Sequence, residues 1–276
     1  MRIVRDVAAV RAAVAGGGRV GLVPTMGAFH EGHLSLIRAA RATCDPVVVW
    51  LFVNPTQFNE AADLVAYPRD EERDARLAEE SGADILFAPD VEAVYPPGFA
   101  TTVTVSGVAD VLEGALRPGH FAGVATVVAK MLNMVGPEVA FFGAKDAQQV
   151  AVVRRLVADL DIPTRIEVMP IVREADGLAM SSRNVRLDPD ERQRATALHR
   201  GLLAAEAAVA AGERDPRVLA RTVEDVLAGA EIEAEYVAVV DPDSFLPVET
   251  VDARTLVALA ARVGSTRLID NIEVAP

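Results

Sequence analysis

Two histidines, His30 and His33, stand three positions apart just after Val23-Pro24-Thr25-Met26-Gly27-Ala28-Phe29, where an apolar run gives way to a glycine-bearing turn. On a helix, that spacing sets both imidazoles on one face. A strand-to-helix turn of this kind lies at the carboxyl edge of an open α/β sheet, where the N–H groups of a helix start attract phosphate. A nucleotide phosphate site is therefore expected. Two other readings compete with it. In one, His30 caps the turn and His33 packs on a strand. In the other, the pair binds zinc, but no thiol is adjacent, the spacing is not the four-residue repeat of a zincin helix, and Glu31 falls on a different face.

Asn54-Pro55-Thr56-Gln57 closes the next apolar run. The proline stops a strand ladder there and leaves both amides at the same sheet edge, with turn chemistry as the plain alternative for Asn54. Lys145-Asp146, after Phe141-Phe142-Gly143, marks a second strand-to-helix turn at that edge. Of 27 cationic side chains only Lys130 and Lys145 are lysines. A lysine kept where arginine otherwise prevails suits a compact ammonium aimed at phosphate oxygens. Ser181-Ser182-Arg183 offers hydroxyl and guanidinium donors, against the plainer reading of a solvated turn. Tyr67 and Arg69 read equally well as helix-edge packing, Glu113 and Arg117 as an ion pair four apart, and His120 as structural.

The elements that must hold these groups follow from periodicity. Short apolar runs bounded by turn residues, at Val20–Val23, Pro46–Val53, Ile85–Ala88, Val139–Phe142 and Ile166–Val172, read as buried strands. Helical spacing fills Leu34–Thr43, Glu71–Ser81, Val124–Val135 and Ala147–Leu160. Strands alternating with helices imply a doubly wound, Rossmann-like parallel α/β sheet. Beyond Asn184 the texture changes to one long alanine-rich helix, Pro189–Ala211, a second at Pro216–Ala228, and strand-like runs at Ala234–Val240 and Arg267–Val274 with Thr255–Val263 between them. The expected division is a catalytic domain over 1–172 and a smaller α+β lid domain over 173–276.

Composition bounds the rest. The chain has 276 residues, 51% of them hydrophobic and 24% charged, which fits a folded globular protein. A formal net charge of −13 argues against nucleic acid as partner, since phosphate backbones are held by basic faces. Cys44 alone excludes an internal disulfide and fits a reducing compartment. Neither a signal segment nor a membrane-length apolar run is found, so a cytoplasmic protein is expected.

His30-Glu31-Gly32-His33 resembles the His-x-Gly-His signature of the adenylyl-transferring nucleotidyltransferases, and the string around it resembles the pantothenate synthetase family. So do Phe52-Val53-Asn54-Pro55-Thr56-Gln57-Phe58, Tyr67-Pro68-Arg69, Leu112-Glu113-Gly114 with Arg117-Pro118-Gly119-His120-Phe121-Ala122-Gly123-Val124, Phe142-Gly143 with Lys145-Asp146, and Met180-Ser181-Ser182-Arg183-Asn184. These blocks keep their order over Val23–Asn184; the C-terminal third adds little. The resemblance implies ATP contacts at Pro24, Thr25, Met26, Gly27, His30, His33, Gly143, Lys145, Asp146, Val172, Met180, Ser181, Ser182 and Arg183, with His30, His33, Lys145, Ser181 and Arg183 catalytic. It also implies that Gln57, Gln149, Asn54 and Tyr67 hold pantoate or β-alanine, that Mg²⁺ is carried by the ATP phosphates, and that the protein is a homodimer. Arg117 and His120 would lie near a mobile wall or the subunit interface. The sequence departs from the family pattern at Ala144 and Ala147, where a glutamate and an aromatic are expected, and this would loosen the ribose subsite.

The implied reaction joins pantoate's carboxylate to the α-phosphorus of ATP, releasing pyrophosphate, and then lets the amine of β-alanine displace AMP. Two alternatives stay open at this point: an adenylyltransferase that acts on a phosphate, and a nucleotide-binding protein that keeps the fold without the chemistry.

Overall fold

The computed structural model describes residues 1–59 and 64–276. They divide into two compact units, one comprising 1–144 and 152–170, the other 145–151 and 171–276.

In the first unit, strands β1 (Arg2–Val4), β2 (Gly21–Thr25), β3 (Val47–Leu51), β4 (Ile85–Phe87), β5 (Val139–Gly143) and β6 (Arg165–Met169) form one parallel sheet in the order β1-β4-β3-β2-β5-β6. The expected α/β class is borne out. Helices α1 (Val7–Val14), α2 (Glu31–Thr43), α3 (Glu71–Glu80), α4 (Val91–Val94), α5 (Glu113–Leu116) and α6 (His120–Val135) join the strands. The chain winds outward from β2 through β3 to β4 and then returns to lay β5 against the other side of β2. That reversal makes the carboxyl ends of β2 and β5 the switch point at which open α/β sheets bind ligands.

Val47 and Val49 alternate with Val48 and Trp50 on β3, and all four are buried, so both faces of the sheet are covered. On one face Val23, Val47, Val49, Leu86 and Phe141 pack with Leu36, Ile37 and Ala40 of α2. That apolar stripe, at spacings of one, three and four residues, is what binds α2 to the sheet. Burying Ile37 alone contributes about 1.5–3 kcal/mol.

In the second unit α7 (Ala147–Asp159) begins within 145–151, and α8 (Pro189–Ala195), α9 (Ala197–Ala210) and α10 (Pro216–Ala228) follow. They precede an antiparallel sheet, β7 (Ala234–Val240), β8 (Thr255–Val263) and β9 (Thr266–Val274), in the order β7-β8-β9. Leu198, Leu202, Leu219, Val223 and Leu227 of the helices share one core with Val257, Leu259 and Leu268 of the sheet.

Two departures from the sequence reading have local causes. The long helix expected over Pro189–Ala211 breaks at Thr196, whose hydroxyl donates back to the Gln193 carbonyl at 2.8 Å while its N–H reaches that same carbonyl at 3.3 Å. This i−3 bonding replaces the α ladder for one turn. Thr255–Val263 is the central strand of the small sheet. It is buried at every position but Arg262, so it lacks the polar alternation that marks a half-exposed strand. The short β1 and the helix α1, capped by Asp6 accepting the Ala9 N–H, lie in a stretch where the sequence reading placed no element.

Candidate active site

At the end of β2 the chain turns through Gly27, at φ +90°, and Ala28, at φ +52°. The first conformation suits only glycine without strain, and the second is unusual for alanine. A remote residue stabilises the turn. Asp74 of α3, almost wholly buried, accepts the Ala28 N–H at 2.7 Å and the Phe29 N–H at 2.9 Å. Arg73 donates to the Phe29 carbonyl at 3.1 Å beside it. Burial pushes the Asp74 carboxyl above its ordinary value, although the two amide hydrogen bonds and Arg73 act against that shift. Nothing in the local pattern of α3 marks Asp74 for this role, and the sequence reading missed it.

The turn delivers His30 as the cap of α2. Its Nδ1 accepts the Gly32 N–H at 3.2 Å, and Nδ1 of His33 accepts the His30 N–H at 3.4 Å, a reciprocal capping box built from imidazoles. The rings lie 4.1 Å apart at 39°, with Phe29 5.5 Å from His33. A ring nitrogen that accepts carries no proton, so each ring is the Nε2–H tautomer. The helix-start amides expected to meet phosphate are partly committed elsewhere, because the His33 and Leu34 N–H groups return to the His30 carbonyl. The capping box thus turns the Nδ1 side of both imidazoles toward the backbone of the helix start. Glu31 points away and pairs with Arg38 at an exposed position. Pro24 and Thr25 end the strand, and the Thr25 hydroxyl donates to the Trp50 carbonyl at 2.9 Å.

Past β3, Asn54 caps the one-turn helix Pro55–Gln57 and is itself buried. Its amide bonds to protein groups on both sides. The Gln57 Nε2 rests 3.1 Å from the Met26 sulfur, so Met26 and Gln57 meet. The Gln57 carbonyl is gripped by His120 Nδ1 at 2.9 Å and by Arg117 at 3.3 Å, which gives both side chains a structural task at this turn. Arg117 also lies 3.9 Å from Glu113. Tyr67 is buried edge-on against Phe58, and Arg69 donates to the carbonyls of Leu64, Val65 and Tyr67. Lys130 sits 4.6 Å over the Phe99 ring and so serves packing. A cavity of about 360 Å³ is lined by Met26, Gly27, Arg69 and Asp74 among others, but by neither histidine nor Gln57.

In the second unit Lys145 and Asp146 form a single turn ahead of α7, with Gln149 half-buried on its first turn. The Lys145 carbonyl accepts the Asn271 side-chain amide at 3.0 Å. Asp270, next to it on β9, is buried and takes Arg173 through both oxygens, at 2.7 and 3.1 Å. A hairpin closed by the Met180 N–H to the Val172 carbonyl, at 2.9 Å, carries Met180-Ser181-Ser182-Arg183 at its end. The Ser181 hydroxyl accepts the Arg183 N–H at 3.2 Å, which leaves its own O–H to donate. Asn184 anchors the loop through Glu174 at 2.7 Å and the Ala179 carbonyl at 3.1 Å. Asn271 and Asp270 belong to the C-terminal third, in which the sequence reading singled out no residue.

Among the described residues no helix is long and apolar enough to cross a membrane, and no group of three His, Cys, Asp or Glu could hold a metal ion.

Comparison with known proteins bears on this arrangement as a whole. A sequence profile of the pantoate-beta-alanine ligase family matches residues 2–273. Pantothenate synthetase of Roseiflexus sp. is 53% identical over 98% of both chains, and that of Chelativorans sp. 54% identical over 99% of this chain and 98% of its own. The crystal structure of pantothenate synthetase from Thermus thermophilus superposes with a TM-score of 0.96 at 48% identity, covering 100% of each chain. The pantoate-beta-alanine ligase of Francisella tularensis, complexed with beta-gamma ATP and beta-alanine, superposes at 0.81 with 32% identity, covering 99% and 97%.

Proposed function

The chain belongs to the pantoate-β-alanine ligase family, and on that premise we propose that it adenylates pantoate with ATP and passes the acyl group to β-alanine. It is a ligase of pantothenate biosynthesis. The observation that carries the reading is the imidazole capping box at the end of β2, which sets two Nε2–H donors on one helix start in a chain matched by the family over residues 2–273.

In the first half-reaction a carboxylate oxygen of pantoate attacks the α-phosphorus and the bond to the bridging oxygen of pyrophosphate breaks. Charge spreads over the transferring phosphoryl group, and fixed donors are worth most at that moment. We assign this task to His30 and His33, with Lys145, Ser181, Ser182 and Arg183 on the phosphates. Asp146 is assigned to the ribose, and the backbone around Pro24–Gly27, Gly143, Val172 and Met180 to the nucleotide's remaining contacts. Neutral rings suit this role, since they donate to the anion without trapping it as a salt.

Mg²⁺ is proposed to arrive on the ATP phosphates. The carboxylate that braces the turn, Asp74, spends both oxygens on backbone N–H groups, which favours phosphate rather than protein ligation. When bound, the ion neutralises phosphate charge.

Pantoate is assigned to the amides of Gln57 and Gln149, and Asn54 and Tyr67 are assigned to the same substrate-binding set. In the second half-reaction the β-alanine amine attacks the acyl carbon and AMP leaves. A mixed anhydride already has a good leaving group, so the residues need only hold the amine in line and exclude water. A homodimer in the cytoplasm completes the proposal.

The test is pantoate-dependent exchange of labelled pyrophosphate into ATP with β-alanine absent. Exchange is the expected result. No exchange from folded, ATP-binding protein would turn the assignment toward a phosphate-adenylating or non-catalytic relative.

A further inference from the structure

The amide groups of Asn and Gln can each be turned either way, yet two backbone groups of fixed polarity settle both at the end of β3. The Thr56 N–H, which can only donate, lies 3.3 Å from Asn54 Oδ1. The Gly123 carbonyl, which can only accept, lies 3.3 Å from Asn54 Nδ2. Asn54 therefore has one possible orientation. Its Nδ2 then donates to Gln57 Oε1 at 3.0 Å, so the Gln57 amide has one orientation too, with its NH₂ toward Met26. Two hydroxyls reinforce the arrangement from behind: Tyr95 donates to Asn54 Oδ1 at 2.8 Å and Thr56 at 2.9 Å.

Backbone contact makes this possible. A Cβ on Gly123 would stand 2.4 Å from the Thr56 carbonyl oxygen, so only glycine lets α6 approach closely enough for its carbonyl to reach Asn54. At the other end the Gln57 NH₂ rests on the Met26 sulfur, a weak acceptor. A carboxylate or hydroxyl oxygen is a far better partner, and displacing the thioether costs little.

We propose that Asn54 and Tyr95 are positioning residues for Gln57, holding its amide so that the NH₂ faces the acyl substrate's oxygens. Asn54 is 1% exposed and acts through Gln57, not on the substrate. This rests on the reading that Gln57 binds the hydroxy acid, and the test separates the two claims.

The experiment measures pantoate and ATP KM and the pyrophosphate exchange rate for Gln57→Ala, Tyr95→Phe, Asn54→Asp and the double variant Tyr95→Phe/Gln57→Ala. Gln57→Ala should weaken pantoate use on the order of 10- to 100-fold, the worth of a hydrogen bond to a charged group. Tyr95→Phe should raise pantoate KM roughly 3- to 10-fold with ATP KM unchanged, as loss of one neutral hydrogen bond predicts. Asn54→Asp, which replaces the donor with an acceptor, should match Gln57→Ala. In the double variant Tyr95→Phe should add nothing, because its partner's target is gone. Near-normal Gln57→Ala would overturn the underlying reading. An impaired Gln57→Ala with a silent Tyr95→Phe, equal losses in ATP KM, or a fully additive double variant would overturn the relay.

Discussion

The carboxylate of Asp74 accepts the backbone N–H of Phe29 at 2.9 Å, although 45 residues separate them in the chain. With its second oxygen on Ala28, one side chain fixes the turn that aims both histidines. Asparagine could keep one of these bonds but would press its NH₂ against the other N–H. Asp74→Asn is expected to cost about 1–3 kcal/mol, the penalty for stranding a buried donor. Urea melts should show a lower midpoint at unchanged slope, together with slower adenylation; an unchanged midpoint would remove Asp74 from the account.

His33→Ala and Lys145→Ala each delete one preorganised donor. Pyrophosphate exchange should fall on the order of 100- to 1,000-fold, about 2.7–4 kcal/mol, with circular dichroism unchanged. Near-normal exchange from either folded variant would cancel its assigned role.

Gly123→Ala places a methyl group against the Thr56 carbonyl. Helix α6 must shift, at a cost typical of overpacking, about 1–3 kcal/mol. Because the Gly123 carbonyl also orients Asn54, pantoate KM should rise more than ATP KM. A thermal midpoint and pantoate KM equal to the parent's would contradict the close approach.

His199 sits against Gly177, and its imidazole is pushed below the ordinary value of 6.5, first by burial and then by the nearby Arg173, with Asp270 and Glu206 opposing. The folded state thus binds this proton less readily than the unfolded chain. The resulting stability is present above the ordinary imidazole range and is lost as pH falls through it. Denaturant midpoints from pH 8 to pH 5 should decline, and the decline should be shallower in His199→Gln. Parallel profiles would locate the pH dependence elsewhere.

Most of the elements were legible in the chain, because strand and helix leave periods in local sequence. Pro216–Ala228 and Ala234–Val240 form as expected, one from apolar spacing behind a proline at its first turn, the other from a β-branched run. The misses have local explanations as well. Thr196 bends a helix through a hydroxyl that alanine-rich neighbours give no reason to expect, and β8 hides as a strand because it is buried on both faces.

The candidate site was legible only in its residue types. His30, His33, Gln57 and Lys145 stand at strand ends, and turn chemistry is written in neighbouring residues. Which way an amide faces, which carboxylate braces a turn, and which asparagine holds the Lys145 carbonyl are decided by groups between 45 and 126 residues away: Asp74 on Phe29, Gly123 on Asn54, Asn271 on Lys145. Sequence by itself determined the alternating elements and the blocks that carry the chemistry, since both rest on interactions within a few residues. Only the tertiary structure decided the polarity and aim of those groups, because strand order sets which distant backbone meets them.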